Sequence, residues 1–447
     1  MRIFVYLLHI YVRFLHKNTI LGVNMQFSFI DGGVTAAQGF TANGVLNKIK
    51  SSRTTNDTAL IFSEKVCNAA GVFTQNRVKA ECVKLTRDHI ANGKAQAVIA
   101  NSGNANACTG KEGYDNANKE AVAVAAKMNI NSDDVLVLST GVIGQQLPVD
   151  KILNGLDKLA EGLSKEGHKE ARIAIMTTDT HYKEVALETV IGGKTVRMGT
   201  MAKGSGMIHI NLGTMLGFIT TDCAISSAML EKALRISAAG TYNCVSIDGD
   251  TSTNDSLLIL ANGMAGNAEI TSEGADFDTF VEALNTLNTQ MAKKIAADGE
   301  GASRLVTCNV VGADNVENAR GLAKAVICSN LVKAAFFGAD ANWGRILDAM
   351  GYSGFFFTPE KTSVSFLSRE GAKRYFDDGN VNGGKESSIK VFDHGVPLNF
   401  DEELAKKILT EEAVDILVEL EDGNAKGTAW GCDLTYDYVK INGDYRT

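Results

Sequence analysis

The chain has 447 residues, of which 45% are hydrophobic and 21% charged, so it can bury a large core and is not an intrinsically disordered protein. Its formal net charge of −8 argues against nucleic acid or an anionic membrane surface as a partner. The eight Cys residues are scattered, with no Cys-x-x-Cys pair and no Cys/His cluster at metal-ligand spacing. They read as reduced, buried thiols of a cytosolic protein. With 44 Gly and only 3 Pro, tight loops are expected to be made with glycine.

Near the N-terminus, Arg2 precedes the apolar run Ile-Phe-Val-Tyr-Leu-Leu-His-Ile-Tyr-Val. His9, Arg13, His16 and Lys17 interrupt it, no small-x-small cleavage site follows, and the run is too short to span a bilayer. Residues 1–24 therefore read as an upstream extension ahead of Met25, with a membrane anchor as the weaker reading.

Leu60-Ile-Phe and Ala97–Asn101 read as strands running into glycine loops. The string Asn101-Ser-Gly-Asn-Ala-Asn-Ala-Cys-Thr-Gly is small, polar and turn-rich. Alanine-rich helical spacing covers Asn116–Lys127, and Val135-Leu-Val-Leu is a strand that enters Ser139-Thr140-Gly141. A hydroxyl and a flexible backbone amide at a strand end have the donor chemistry that an oxyanion requires. An isolated Thr-Gly serves equally as a plain turn. Helices are expected at Val149–Glu161 and Lys165–Met176, followed by the hydroxyl-rich Met176-Thr177-Thr178-Asp179-Thr180. Gly192-Gly-Lys-Thr195 is not a phosphate-binding loop, because Glu188 stands where the first glycine would be required.

The centre of the chain is Lys203-Gly-Ser-Gly-Met-Ile-His-Ile-Asn-Leu-Gly213-Thr214, followed by the apolar Met215–Thr221. Its first part is a glycine-rich bend, and its last part reads as a buried strand. Gly213-Thr214 places a hydroxyl nucleophile directly after a residue that tolerates strained backbone angles. Attack of Thr214 on its own preceding carbonyl would cleave the chain there. The freed α-amine beside the hydroxyl would then serve as a built-in base. A threonine ahead of an apolar strand is, by itself, ordinary packing.

Beyond it, Ala228–Ala238 is helical. Asp248-Gly-Asp250-Thr-Ser-Thr-Asn254-Asp255 imitates a calcium loop, yet Thr253 occupies the glycine position and no Glu closes the loop. It reads as a structural turn. A long helix, Phe277–Ala297, leads into Asp298-Gly-Glu300-Gly, an accessible carboxylate between two glycines, and then the strand Leu305–Val311. Strands and helices alternate thereafter, and the chain ends in the polar Asn442-Gly-Asp-Tyr-Arg-Thr447.

Lys-Gly-Ser-Gly-Met-Ile-His, Asn211 and Thr-Met-Leu-Gly-Phe-Ile-Thr-Thr-Asp together resemble the self-cleaving core of the glutamate N-acetyltransferase (ornithine acetyltransferase) family of arginine biosynthesis. The departures are Ile210, Leu212 and Gly213, where that family carries Pro, Met and Ala. The likeness runs in matching order from residue 26 to 447. It implies an α/β fold of the layered α-β-β-α kind, forming one catalytic unit over residues 25–447 that is cut into fragments 25–213 and 214–447. It further implies two copies of each fragment in a heterotetramer, located in the cytoplasm. The implied reaction transfers acetyl from N2-acetylornithine to glutamate, with Thr214 as nucleophile and Thr140 and Gly141 as the oxyanion hole. Thr177, Lys203, Thr214, Glu300, Asn442 and Thr447 would contact substrate. No metal or organic cofactor is implied, and acetyl-CoA is a candidate second acetyl donor. The alternatives are an amidase or aminopeptidase of the same superfamily, and a non-catalytic binding protein on this fold.

Overall fold

The computed structural model describes residues 18–20, 23–25, 27–209, 215–378 and 386–443. Gly213, Thr214 and Thr447 lie outside them, as does most of the N-terminal extension. Of that extension, the strands Asn18–Ile20 and Val23–Met25 pair antiparallel with each other.

The long strand Thr58–Phe73 organises the larger, nine-stranded sheet. Its first six residues pair with Phe40–Val45 and its last six with Ser256–Ala261. Its pairing with Lys94–Asn104 breaks between Phe62 and Cys67, where the ladder shifts register. A break of this kind bends a strand and re-aims the residues beyond it, so the sheet folds back on itself. Side-chain alternation records the result, because successive residues of a strand point to opposite faces. Val98 and Leu136 on one half share a core with Phe218, Leu258 and Leu260 on the other. Their neighbours Ala97, Ile99, Val135 and Val137 face the opposite way, against the helices Glu81–His89, Gly110–Met128 and Val149–Glu161. Ile219, Leu257 and Ile259 face the helices Ser227–Gly240 and Ala275–Ala297. Helix, sheet, sheet and helix therefore stack in the α-β-β-α order.

The six-stranded sheet runs Val396–Pro397, Ser388–Asp393, Ser363–Ser368, Ala413–Glu419, Leu305–Ala313, Ala425–Cys432. Its apolar face belongs to the same core cluster as the helix Ala275–Ala297, so the two sheets form one packed unit. The central strand is Leu216–Thr221, fully buried as expected, between Lys194–Lys203 on one side and Ser256–Ala261 on the other.

The second expected helix is shorter than its pattern, His168–Ala174, because Ser164 and Lys165 are held by Ala42 and Thr35. Gly192 and Gly193, both at positive φ, make the two-residue turn between Lys183–Ile191 and Lys194–Lys203. That turn is a hairpin and not a phosphate cradle. Asp248-Gly-Asp250 lies in a strand, Ser246–Thr251, and not in a turn. Cys108 is exposed, against expectation, while six of the other thiols are buried. Burial pushes Cys67 and Cys82 up to about 12, which keeps them protonated and inert. Among the described residues no helix is long and apolar enough to cross a membrane.

Candidate active site

Thr140 and Gly141 close the strand Val135–Val142, which lies parallel to Lys94–Asn104. The two strand ends press so close that a Cβ on Gly141 would stand 2.4 Å from the Gly103 carbonyl carbon. Gly141 also has φ +136°, a conformation that L side chains rarely adopt. Only glycine fits, and it leaves the backbone turned out of the regular ladder beside the Thr140 hydroxyl. The strand end is pinned from behind by Asn254, whose amide donates to the Ser139 and Ala105 carbonyls at 2.8 and 2.5 Å.

Lys203 ends the strand Lys194–Lys203 and is buried. Its Nζ stands 3.5 Å from the Thr140 Oγ1. Leu216, two residues after Thr214 in sequence, is its register partner in the neighbouring strand. The bend Gly204-Ser205-Gly206 then carries the backbone to Glu300: the Glu300 N–H donates to the Ser205 carbonyl at 2.9 Å. A Cβ on Gly206 would fall 2.3 Å from the Glu300 carboxyl carbon, so the missing side chain makes room for that carboxylate. Glu300 is itself buried, and Asn442 donates to its Oε2 at 2.7 Å. Lys203 and Glu300, both expected to contact substrate, therefore flank one three-residue bend.

Three buried charges that the sequence reading did not single out hold this bend. Asp179 accepts the Thr177 N–H at 3.1 Å, the Gly204 N–H at 2.8 Å and the Lys183 ammonium at 2.7 Å. Burial pushes the Asp179 carboxyl up, but the Lys183 and Lys203 charges outweigh it and hold it down at about 2. Lys183 also reaches Asp298, whose carboxylate accepts the Thr180 and His181 amides. The Asp298 carbonyl accepts the Ser205 hydroxyl at 2.7 Å. Thr177 is thus tied to the site through Asp179, and the Glu300 loop through Asp298.

Residues 41–447 match the ArgJ family. The chain belongs to that family. Over 418 residues it is 47% identical to the arginine biosynthesis bifunctional protein ArgJ of Caldanaerobacter subterraneus, covering 94% of this chain and 99% of that one. The corresponding protein ArgJ 1 of Clostridium acetobutylicum is 48% identical over 414 residues, covering 93% and 97%. Among solved structures, the ArgJ protein of Bacillus halodurans is similar at 41% identity and TM-score 0.45, over 51% of this chain and 98% of that chain. The Mycobacterium tuberculosis ornithine acetyltransferase, complexed with ornithine, is similar at 42% identity and TM-score 0.39, over 42% and 99%.

In this ArgJ-family chain the structure brings Thr140, Gly141, Thr177, Lys203, Glu300 and Asn442 around one bend, while Gly213, Thr214 and Thr447 lie outside the described residues. The string dismissed as a metal decoy supports the backbone nearby. Asp248 accepts the Met207 and Ile208 amides at 2.6 and 2.8 Å, just ahead of residues 210–214. His209 is engaged elsewhere, 3.1 Å from the Ser246 Oγ and 3.6 Å from the Cys328 Sγ. Burial and the Lys324 charge hold its imidazole down at about 4, so it is neutral near pH 7. Asp179 and Asp298 stood inside motifs already marked for other residues, and nothing local in the sequence pointed to their partners. Lys183 gave none, since a lysine opening a strand ordinarily faces water.

Proposed function

We propose that this chain is an acyltransferase of arginine biosynthesis that carries acetyl from N2-acetylornithine to glutamate through an ester on Thr214. Maturation comes first. The Thr214 hydroxyl attacks the Gly213 carbonyl, the peptide nitrogen leaves as an amine, and water hydrolyses the resulting ester. Fragments 25–213 and 214–447 stay joined, a reading supported by the unbroken ladder between Lys194–Lys203 and Leu216–Thr221. Two copies of each form the working assembly in the cytoplasm.

In turnover the free α-amine takes the hydroxyl proton as Thr214 Oγ bonds to the acetyl carbonyl carbon. Negative charge moves onto the carbonyl oxygen, where the Thr140 hydroxyl and the Gly141 N–H donate to it. Collapse expels the ornithine nitrogen, which leaves with that proton. The amine of glutamate then attacks the acetyl ester, and N-acetylglutamate departs as Thr214 regains its proton. Lys203 pairs with the substrate carboxylate; Glu300, with Asn442 beside it, takes the amino end, and Thr177 and Thr447 contact the same substrate. No metal or organic cofactor takes part, and acetyl-CoA serves as a second donor, which fits the word bifunctional in the relatives' names.

One observation carries this reading: the bend Lys203–Gly206 meets Thr140 at one end and Glu300 at the other. Denatured mass spectrometry of the wild type and of Thr214→Ala tests it. Two wild-type fragments, the second beginning at Thr214, are expected against one intact variant chain. Acetylornithine-to-glutamate transfer, assayed with and without acetyl-CoA, then tests the reaction and the second donor. A single uncleaved wild-type chain would overturn the threonine mechanism and favour a binding protein; acetylornithine hydrolysis without transfer would favour an amidase.

A further inference from the structure

Four ionisable side chains stand in a row of alternating sign behind the site. Asp298 and Asp179 flank Lys183, whose ammonium lies 2.5 Å from the first and 2.7 Å from the second. The three side chains are 6%, 0% and 1% exposed respectively. Asp179 also lies within the field of Lys203, and Lys203 reaches the Thr140 hydroxyl. Two carboxylates and two ammonium groups cancel, which is the condition for leaving them all charged in a buried setting.

The order of the row matters at its last member. An ammonium has hydrogens to give and no lone pair to offer. Facing Thr140 Oγ1, Lys203 occupies the oxygen as a donor, so the hydroxyl hydrogen points to some other acceptor. The acceptor that the proposed reaction supplies is the developing oxyanion.

We propose that Lys183 is a positioning residue for acyl transfer: it satisfies Asp179 and Asp298, which leaves Lys203 against Thr140 and the Thr140 hydroxyl aimed at the oxyanion. The inference rests on the reading of Thr140 as an oxyanion donor. If Lys183 is removed, Asp179 and Asp298 share a buried negative charge, and the cations whose fields reach Asp179 are Lys203 and Arg53, of which Arg53 is held by the Asn56 and Met176 carbonyls. Lys203 is then drawn off Thr140, and the hydroxyl is free to turn away.

The test is steady-state acetylornithine-to-glutamate kinetics of the wild type, Lys183→Met and Lys183→Arg, with Asp179→Asn as a near-isosteric second probe should Lys183→Met fail to fold. Displacing an oxyanion donor by about an ångström costs on the order of 10- to 100-fold in kcat. Lys183→Met is expected to lose kcat on that scale, with the KM for acetylornithine rising as well because the displaced Lys203 also serves the substrate carboxylate, and Lys183→Arg to recover part of both losses. An unchanged kcat, or a rise in KM alone, overturns the inference. A crystal structure of Lys183→Met separates this failure from failure of the proposed reaction. An increase in the distance between Lys203 Nζ and Thr140 Oγ1 is expected whatever the activity, and an unmoved Lys203 overturns the inference even if the wild type proves inactive.

Discussion

The side-chain amide of Asn442 donates a 2.7 Å hydrogen bond to the Glu300 carboxylate, across 142 positions of sequence. The contact depends on a close approach at Gly301, where a Cβ would meet the Tyr438 backbone nitrogen at 2.7 Å, and on Thr435, whose hydroxyl donates to the Gly301 carbonyl at 2.7 Å. The C-terminal helix Tyr436–Asn442 is thereby seated on the Glu300 loop.

Removing that amide is expected to loosen substrate binding more than folding. A hydrogen bond to a charged group contributes about 1.5–3 kcal/mol, or roughly 10- to 100-fold in an equilibrium constant. Asn442→Ala should raise the KM for acetylornithine within that range while the melting temperature changes little, since Asn442 is exposed. A KM within twofold of wild type would show that Asn442 does not serve the substrate site.

Gly206→Ala probes the same carboxylate from the other side. The added methyl would stand 2.3 Å from the Glu300 carboxyl carbon and must displace it. Because that carboxylate is the end of a side chain, the fold should survive and the KM for acetylornithine should rise at least as far as in Asn442→Ala. Unaltered kinetics would mean that the Glu300 position is unimportant.

At the proposed oxyanion hole, two substitutions should separate chemistry from folding. Thr140→Val keeps the shape but removes the hydroxyl, and loss of one such donor costs about 100- to 1,000-fold in kcat. Gly141→Ala forces a methyl to 2.4 Å from the Gly103 backbone at φ +136°, so it should lower both kcat and the melting temperature. Thr140→Val with kcat within threefold of wild type would exclude the hydroxyl from the reaction.

Glu120 makes a pH prediction away from the site. It is fully buried in the helix Gly110–Met128, neither carboxyl oxygen has a hydrogen-bond partner among the described residues, and burial pushes its carboxyl up to about 8. The fold therefore favours the protonated form. Its contribution is complete below the ordinary carboxylate pKa of 4.5 and is lost as pH rises toward about 8. The slope approaches about 1.4 kcal/mol per pH unit over that window. Glu120→Gln, which cannot ionise, should gain melting temperature over wild type between pH 5 and pH 8. Parallel melting curves across that range would show that Glu120 does not titrate in the fold.

Much of the secondary structure was legible because it is local. The helix Val149–Glu161 begins and ends where its apolar spacing does, and the strand at Val135 and the helix ending at Ala297 follow from short-range periodicity. Glycine-rich loops around Lys203 and Glu300 were visible for the same reason, since close backbone approach demands residues without side chains. Family likeness marked Thr140, Gly141, Lys203 and Glu300, and the fold gathers those four residues together.

Sequence alone thus located several of the strands and helices, and determined where the glycine bends lie and which family the motifs resemble. Tertiary structure decided the rest. It set the bend within Thr58–Phe73 that folds one sheet into two layers, and the seating of Asn442 on Glu300. It also paired Lys183 with Asp298, 115 positions away. A lysine opening a strand carries no mark of its partners, because a buried charge is tolerated only where distant parts of the chain bring opposite charges to it.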